Sequence, residues 1–549
     1  MKNNYKILSY LILLIIIITG YSSAQTPVSI WSSRYNGTGN GQDQAVAACT
    51  NPSGNMVFVT GWSNGSSTAA DIVTIRYNPA TGDTMWVNRY SGTGTSDDRP
   101  YAMTADNNAV YITGYSYAPT RDIITLKINA AGVLQWARTY NGPGSGGDYG
   151  EAITVDGSGN VYVTGRTDNS GTQKMLVLKY DASGNMVSSW PVIDTGALSN
   201  TFDEGHAIKV DGSGNVFITG VSGLAGNIAS YDILTIKINS NASIGWAKKY
   251  NGNINGEDIA VALVLDNTAS NVYVAGYATL YGGNQDFMTI KYNASTGDSL
   301  AAASYNGSGG ASDLISAMTI DPTNFIYVTG ASWGGSSSYD FVTIKYNSNL
   351  VQQWLSRSGL AGNDVPSAIA YNSGFIYVAG YGTGTGLDML TYRLNASNGS
   401  EKWHKLENGT AGLDDAAVSV AVIDSFDVFV TGYTNNNGSS QDYYTLRYSE
   451  PTGIEPISGQ IPTGFELYQN YPNPFNPSTS IKFDIAKSTF ARLSVYDVLG
   501  REVSVLVNEE LKPGTYEVKW NAGAISSGIY FYKLSTSDFT VSKRMILSK

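Results

Sequence analysis

The 549-residue sequence is poor in the residues that most often carry chemistry. Its single cysteine, Cys49, excludes an intramolecular disulfide, and two histidines, His206 and His404, leave little material for zinc centres or a histidine-dependent triad. Charged residues make up 14% of the chain, against a usual ~25%. With 33 Lys plus Arg against 44 Asp plus Glu, the net charge is -11, so nothing global attracts nucleic acid or anionic lipid. Walker A and HExxH motifs are missing, and no dinucleotide-binding fingerprint stands in a strand–turn–helix context. What the chain does have is 61 Gly and 38 Tyr beside only 16 Pro, a balance that argues against disorder, collagen and coiled coil. Its length calls for more than one structural unit.

Lys2 and Lys6 precede an apolar run from Ile7 to Thr19, and Ser22-Ser23-Ala24 follow. At 1.5 Å per residue that run is shorter than the ~30 Å hydrocarbon core. The pattern predicts a secretory signal peptide over residues 1–24, cut after Ala24. No cysteine follows to take a lipid, and no later run is apolar for long enough to span. The mature chain is therefore expected to be soluble, exported and without a transmembrane segment.

Internal repetition comes next. A short apolar run ending in glycine recurs eight times, at Gly61, Gly114, Gly165, Gly220, Gly276, Gly330, Gly380 and Gly432, spaced by 50 to 56 residues. Three signals keep phase with it. Upstream stand Asp43, Asp98, Asp148, Asp203, Asp258, Asp313, Asp364 and Asp414, each four residues before a small apolar residue. Downstream comes a strand of the form DIVTIRYN, first seen from Asp71 to Asn78, with Lys174 in the Asp place of the third copy. Last comes a tryptophan, at Trp31, Trp86, Trp136, Trp190, Trp246, Trp354 and Trp403, with Ala301 in the remaining slot.

Each unit thus offers four short β-branched or aromatic runs between Gly, Asn, Asp and Ser turns, with no helical periodicity. Four strands per unit is a propeller blade. The segment from Ile30 to Gly37 is a fourth-strand signal with no blade before it, while the eighth unit stops after its third strand at Tyr448. The expected fold is all-β: an eight-bladed β-propeller over residues 25–449, closed by the N-terminal strand. Closure hides the edges that would otherwise invite aggregation. The copies, most fully Glu151 to Gly165, resemble the SBBP-type β-propeller repeat of exported bacterial proteins. That resemblance implies a fold and no single activity.

A Pro-, Gly- and Ser-punctuated stretch, 450–463, reads as a linker. Beyond it, about seven short strands over 464–549 suggest a small immunoglobulin-like β-sandwich. YPNPFNPST, VYDVLGREV, LKPGTYEVKWNA, GIYFYKL and KRMILSK resemble, in order, the type A C-terminal sorting domain of the type IX secretion system. The resemblance implies the type IX machinery as a partner, passage through the periplasm, and release or attachment at the outer cell surface. Lys543, Arg544 and Lys549 form a short basic tip, an electrostatic handle for a translocon.

Candidate sites are few. The in-phase aspartates could ring one mouth of the channel, where hard oxygen ligands would suit Ca2+. A residue repeated in every unit is what a structural device predicts, so they are read as caps of their own turns and no cofactor is assigned. Asp156 to Asn160 and Asp211 to Asn215 loosely resemble a calcium loop but lack its later glutamate and read as hairpin turns. Trp62 and Trp333 fall outside the tryptophan phase and are the candidate ligand-stacking residues. His206 departs from its equivalents Tyr101, Glu151 and Ser316, with Glu204 two residues away, and is a third candidate. Cys49 reads as a buried, inert thiol. The expected function is a monomeric, non-catalytic scaffold that binds a glycan or a cell-surface protein. The alternatives are a polysaccharide-directed hydrolase or lyase, which needs two carboxylates outside the repeat phase in one pocket, and a Ca2+-stabilised adhesin.

Overall fold

The computed structural model describes residues 27–548 apart from 67–68, 94–95, 194–200, 281, 336–337, 385, 410–411, 424–426, 436–439, 450–455, 458–460 and 523–524. The predicted signal peptide, Lys549 and most of the predicted linker lie outside the described residues. Among the described residues every regular element is a strand, and no helix is long and apolar enough to cross a membrane.

Eight four-stranded antiparallel sheets fill the repeat region. Sheets one to seven are each built from consecutive strands, over 43–90, 98–140, 149–193, 201–250, 259–305, 314–358 and 365–407. Sheet eight joins Ala416–Val422, Val428–Asn435 and Gln441–Ser449 to Val28–Tyr35 from the opposite end of the chain. Trp31 is there paired with Arg447, and Tyr35 with Tyr443. First strands pack on first strands: Asp43–Thr50 of sheet one touches both Asp98–Ala105 of sheet two and Ala416–Val422 of sheet eight.

Burial on both faces explains the continuous apolar runs. Val161, Tyr162 and Val163 are all 0% exposed, and one cluster joins Tyr162, Met175 and Val177 of sheet three to Ile208, Val216 and Ile218 of sheet four. Each such side chain contributes roughly 1.5–3 kcal/mol by leaving water. Threonines of the repeat bring hydroxyls into that core, and some pair across strands: the hydroxyls of Thr60 and Thr74 lie 3.0 Å apart, as do those of Thr219 and Thr235.

The in-phase tryptophans fasten one sheet to the next. Trp86 Nε1 donates to Ala130 O at 3.0 Å, Trp246 Nε1 to Ala294 O at 3.1 Å, and Trp354 Nε1 to Ala396 O at 3.1 Å. Each ring lies over a glycine in the next sheet's last turn; a Cβ on Gly132 would meet the Trp86 ring at 2.7 Å. Trp31 makes the same contact between sheets eight and one, donating to Pro79 O at 3.0 Å.

Seven further strands form two sheets in the C-terminal region. Glu466–Leu467, Ser478–Ile485 and Gly514–Asn521 make the first; Glu502–Leu511, Thr489–Tyr496, Gly528–Ser535 and Thr540–Leu547 make the second. Ile481 and Phe483 share one core with Leu493, Val495, Tyr532 and Met545. The proline-rich motif serves this core: Phe475 is 2% exposed, packs on Trp520 at 5.5 Å between ring centroids, and donates its N–H to Ile546 O at 3.0 Å.

Candidate functional site

The repeated glycine decides where side chains are free to act. In all eight sheets the first strand carries a one-residue bulge opposite that glycine. The bulge presses a carbonyl onto the glycine: a Cβ on Gly165 would lie 1.9 Å from Tyr149 O, and one on Gly220 the same distance from Glu204 O. Glycine is therefore required, and the extra residue of the bulge is released from the ladder. In sheets two, three and four that residue is Tyr101, Glu151 and His206. Elsewhere it is a valine (Val46, Val261, Val418) or a serine (Ser316, Ser367).

A second position breaks the repetition in the same sectors. The residue after the glycine pairs across the ladder with the residue two before the bulge residue. These pairs are Gln44 with Trp62, Arg99 with Tyr115, Tyr149 with Arg166 and Glu204 with Val221 in sheets one to four. In sheets five to eight they are Ile259 with Tyr277, Leu314 with Ala331, Val365 with Tyr381 and Ala416 with Tyr433, none of them charged.

Together these residues form one network across the sheets. The Arg99 guanidinium stands 4.2 Å above the Trp62 ring. Tyr115 packs against Tyr101 at 5.7 Å and Tyr149 at 5.6 Å, and Arg166 stacks on Tyr149 at 4.1 Å. Arg166 Nη1 also donates to Glu204 Oε1. His206 Nε2 lies 3.6 Å from Glu204 Oε2, while its Nδ1 donates to Ala260 O at 2.8 Å. Glu151 and Glu204 are close enough for the two carboxyls to titrate together.

Burial, and next the Glu204 carboxylate, push the Glu151 carboxyl up to about 7. Burial would also raise Glu204, but its hydrogen bond with His206 and the charges of Arg166 and His206 outweigh it and hold this carboxyl below its ordinary value. Burial disfavours the His206 imidazolium; the hydrogen bond and charge of Glu204 overcome that and raise it. The pair thus keeps one proton as pH rises toward about 7 and gives it up above that.

The sequence-predicted residues are distributed as follows. His206 and Glu204 belong to the network, and Trp62 stands at its far end, 6% exposed beneath Arg99. Trp333 is half-buried in sheet six, edge-on to Tyr339 at 5.2 Å, away from the network. Glu151, Arg166 and Tyr149 were not among the candidates. Comparing the bulge position and the post-glycine position across all eight units would have found them, because those are the two places where charge enters in some units only.

The aspartates sit inside their turns. Asp43 accepts the Gly37 N–H at 2.7 Å, Asp98 the Gly92 N–H at 2.6 Å, and Asp313 the Gly307 N–H at 2.6 Å. Asp148 adds Asp168 N–H at 2.8 Å, Asp258 adds Thr279 N–H at 2.6 Å, and Asp364 adds Thr383 N–H at 3.0 Å. Asp203 is ion-paired with Lys174 at 3.1 Å, which accounts for the lysine in the third copy. In the eighth unit the expected Asp414 is exposed, and Asp415 occupies the place instead, accepting from Gly409 N–H at 2.5 Å and Asn435 N–H at 2.9 Å. The sequence alignment was one residue out there because a register of turn hydrogen bonds, not spacing to the next apolar residue, defines the position. Among the described residues no group of three or more His, Cys, Asp or Glu side chains converges to hold a metal ion.

Asp156 and Asp211 close hairpin turns, each accepting two N–H groups at 2.8–2.9 Å. Cys49 lies half-buried in the first strand of sheet one, its thiol pushed up to about 12 by burial. Lys543 is half-buried and Arg544 exposed on the last strand.

Residues 469–548 match the family model of the secretion system C-terminal sorting domain. This is a type IX sorting domain. Residues 135–171 match the β-propeller repeat, so the sorting domain is joined to an exported propeller, bound for the cell surface or the medium. The sorting domain implies contact with the secretion machinery. Similar folds occur in a quinohemoprotein alcohol dehydrogenase from Comamonas testosteroni, at 10% identity over 80% of this chain and 79% of that one, TM-score 0.49. BamB from Moraxella catarrhalis is similar at 13% identity over 77% and 100%, TM-score 0.45. PorZ of Porphyromonas gingivalis, a surface component of the type IX secretion system, is similar at 12% identity over 92% and 81%, TM-score 0.31. Comparison with curated proteins yields no match.

Proposed function

We propose that this protein is a non-catalytic binding module: an eight-bladed propeller, closed by its own N-terminal strand, that crosses the inner membrane by its signal peptide and is delivered outside by its sorting domain. One observation carries this reading. Polar groups that recur in phase hold the fold, whereas charge enters the bulge and the post-glycine ladder pair only in sheets two to four, as Arg99, Glu151, Arg166, Glu204 and His206. A fold that is satisfied by valine and serine at the other bulges has no structural need of them.

The Glu151 and Glu204 pair is the observation that favours polysaccharide hydrolysis, since both carboxyls lie outside the repeat phase. The binding reading is preferred because Glu204 is already held by Arg166 and His206. The deciding experiment is a paired assay on the secreted chain: retention on intact cells or glycan surfaces, and release of reducing ends from the same glycans. Retention without release is expected; turnover abolished by Glu151→Gln would replace the binding reading with the enzymatic one.

A further inference from the structure

The network in sheets two to four has three properties that together select a ligand class. First, it keeps accessible surface: Tyr101 is 36% exposed on its bulge, and the Arg166 and His206 side chains are each 24% exposed. Second, its charges nearly cancel. Arg99 is paired with Asp97 at 3.2 Å and Arg166 with Glu204, while burial holds Glu151 toward its neutral form. An anionic ligand would face two carboxyls, and a cationic one would face Arg166 and His206, so neither charge sign is favoured. Third, planar groups that donate and accept hydrogen bonds stand beside flat ring surfaces, Tyr115 touching both Tyr101 and Tyr149.

Vicinal hydroxyls match the first kind of surface, and the C–H face of a pyranose ring matches the second. We propose that Glu151, Glu204, His206 and Arg166, with the Tyr101, Tyr115 and Tyr149 rings beside them, bind a neutral, hydroxyl-rich sugar unit of an extracellular glycan. This deepens the binding-module reading and rests on it. The carboxylate of Glu204, already oriented by Arg166, accepts from one hydroxyl; Glu151 donates to or accepts from its neighbour; and a Tyr101 face, the most exposed of the rings, takes the sugar's apolar side. Pre-orientation by the ion pair and the ring contacts reduces the entropy lost on binding.

The test is calorimetric titration of the mature chain with maltohexaose, cellohexaose, xylohexaose and mannohexaose, each to about 10 mM, which reaches millimolar dissociation constants. At least one hexasaccharide is expected to bind. Glu204→Gln and Tyr101→Ala should each weaken that affinity about tenfold or more, while Trp333→Ala, in sheet six, leaves it unchanged. Tyr101 is exposed and on a bulge, so its variant folds even if the loss of the Arg166 ion pair disturbs Glu204→Gln. If no neutral hexasaccharide binds although the protein still adheres to cells, the sugar assignment is wrong and the binding module stands. If a hexasaccharide binds with equal affinity to wild type, Glu204→Gln and Tyr101→Ala, the site is wrong. If the hexasaccharides are cleaved, the binding-module reading itself falls.

Discussion

Trp31 Nε1, in the first strand of the chain, donates to the carbonyl of Pro79 at 3.0 Å, and its ring covers Gly82. This joins sheet eight to sheet one by the contact that Trp86, Trp246 and Trp354 make between other neighbours. Trp31→Ala is expected to lower the unfolding free energy by about 2–4 kcal/mol, as large-to-small core changes do. Urea unfolding measures it, and a loss under about 0.5 kcal/mol, the size of a neutral surface change, would mean that this strand does not hold the ring together.

Glycines differ sharply in what they tolerate. Gly82 has φ +77, and a Cβ there would lie 2.5 Å from the Trp31 ring, whereas nothing stands within 4 Å of the Cβ position of Gly157. Gly82→Ala should destabilise by about 1–3 kcal/mol from strain and clash, and Gly157→Ala by less than about 0.5 kcal/mol. Thermal unfolding of the two variants side by side distinguishes position from composition; equal effects would contradict the packing described.

Stability should fall as pH rises across neutrality. Burial and the Glu204 charge raise Glu151 to about 7, and burial raises Asp258 and Asp286 to about 6. For an acid whose native pKa is raised, the contribution is complete below the ordinary carboxylate value of about 4 and is lost as pH climbs through the native one. His206, raised despite burial by its hydrogen bond to Glu204, acts in the same direction. Glu204 is held low and opposes them only at acid pH. The Tm is therefore expected to be higher at pH 5 than at pH 8, and Glu151→Gln should flatten this slope by raising the Tm at pH 8. A Tm that increases from pH 5 to 8 would show that these groups are not in the described surroundings.

Chelation should leave the propeller intact. The in-phase aspartates accept backbone N–H groups in their own turns, as Asp148 and Asp258 show. A bound ion would have to displace those bonds. The expected result is an unchanged Tm on adding EDTA; a fall of several degrees would point instead to a Ca2+-stabilised adhesin.

Removal of residues 464–549 should separate delivery from folding. The sorting domain has its own core, in which Phe475 packs on Trp520, so its loss is expected to leave a folded propeller held in the periplasm. Cell fractionation and protease resistance report the two effects independently. Secretion of the shortened chain would overturn the assignment of delivery to this domain.

Period, strand type and the phase of glycine and tryptophan were all legible along the chain. They are local: Val161 to Gly165 is a twice-buried strand wherever it is placed, and a C-terminal region with clustered proline and aromatic motifs announces a second core. Sorting of the chain was legible for the same reason. Which aspartate fills the eighth turn was not, because Asp414 and Asp415 differ only in which of them the backbone amides of Gly409 and Asn435 reach. Nor was the network around Glu151. Its members come from sheets two to four and are separated by tens of residues; only the bulge opposite each glycine, and the packing of one sheet's second strand on the next sheet's first, bring them within hydrogen-bonding distance. Spacing along a chain decides which strands form, while contact between charges depends on where those strands are stacked.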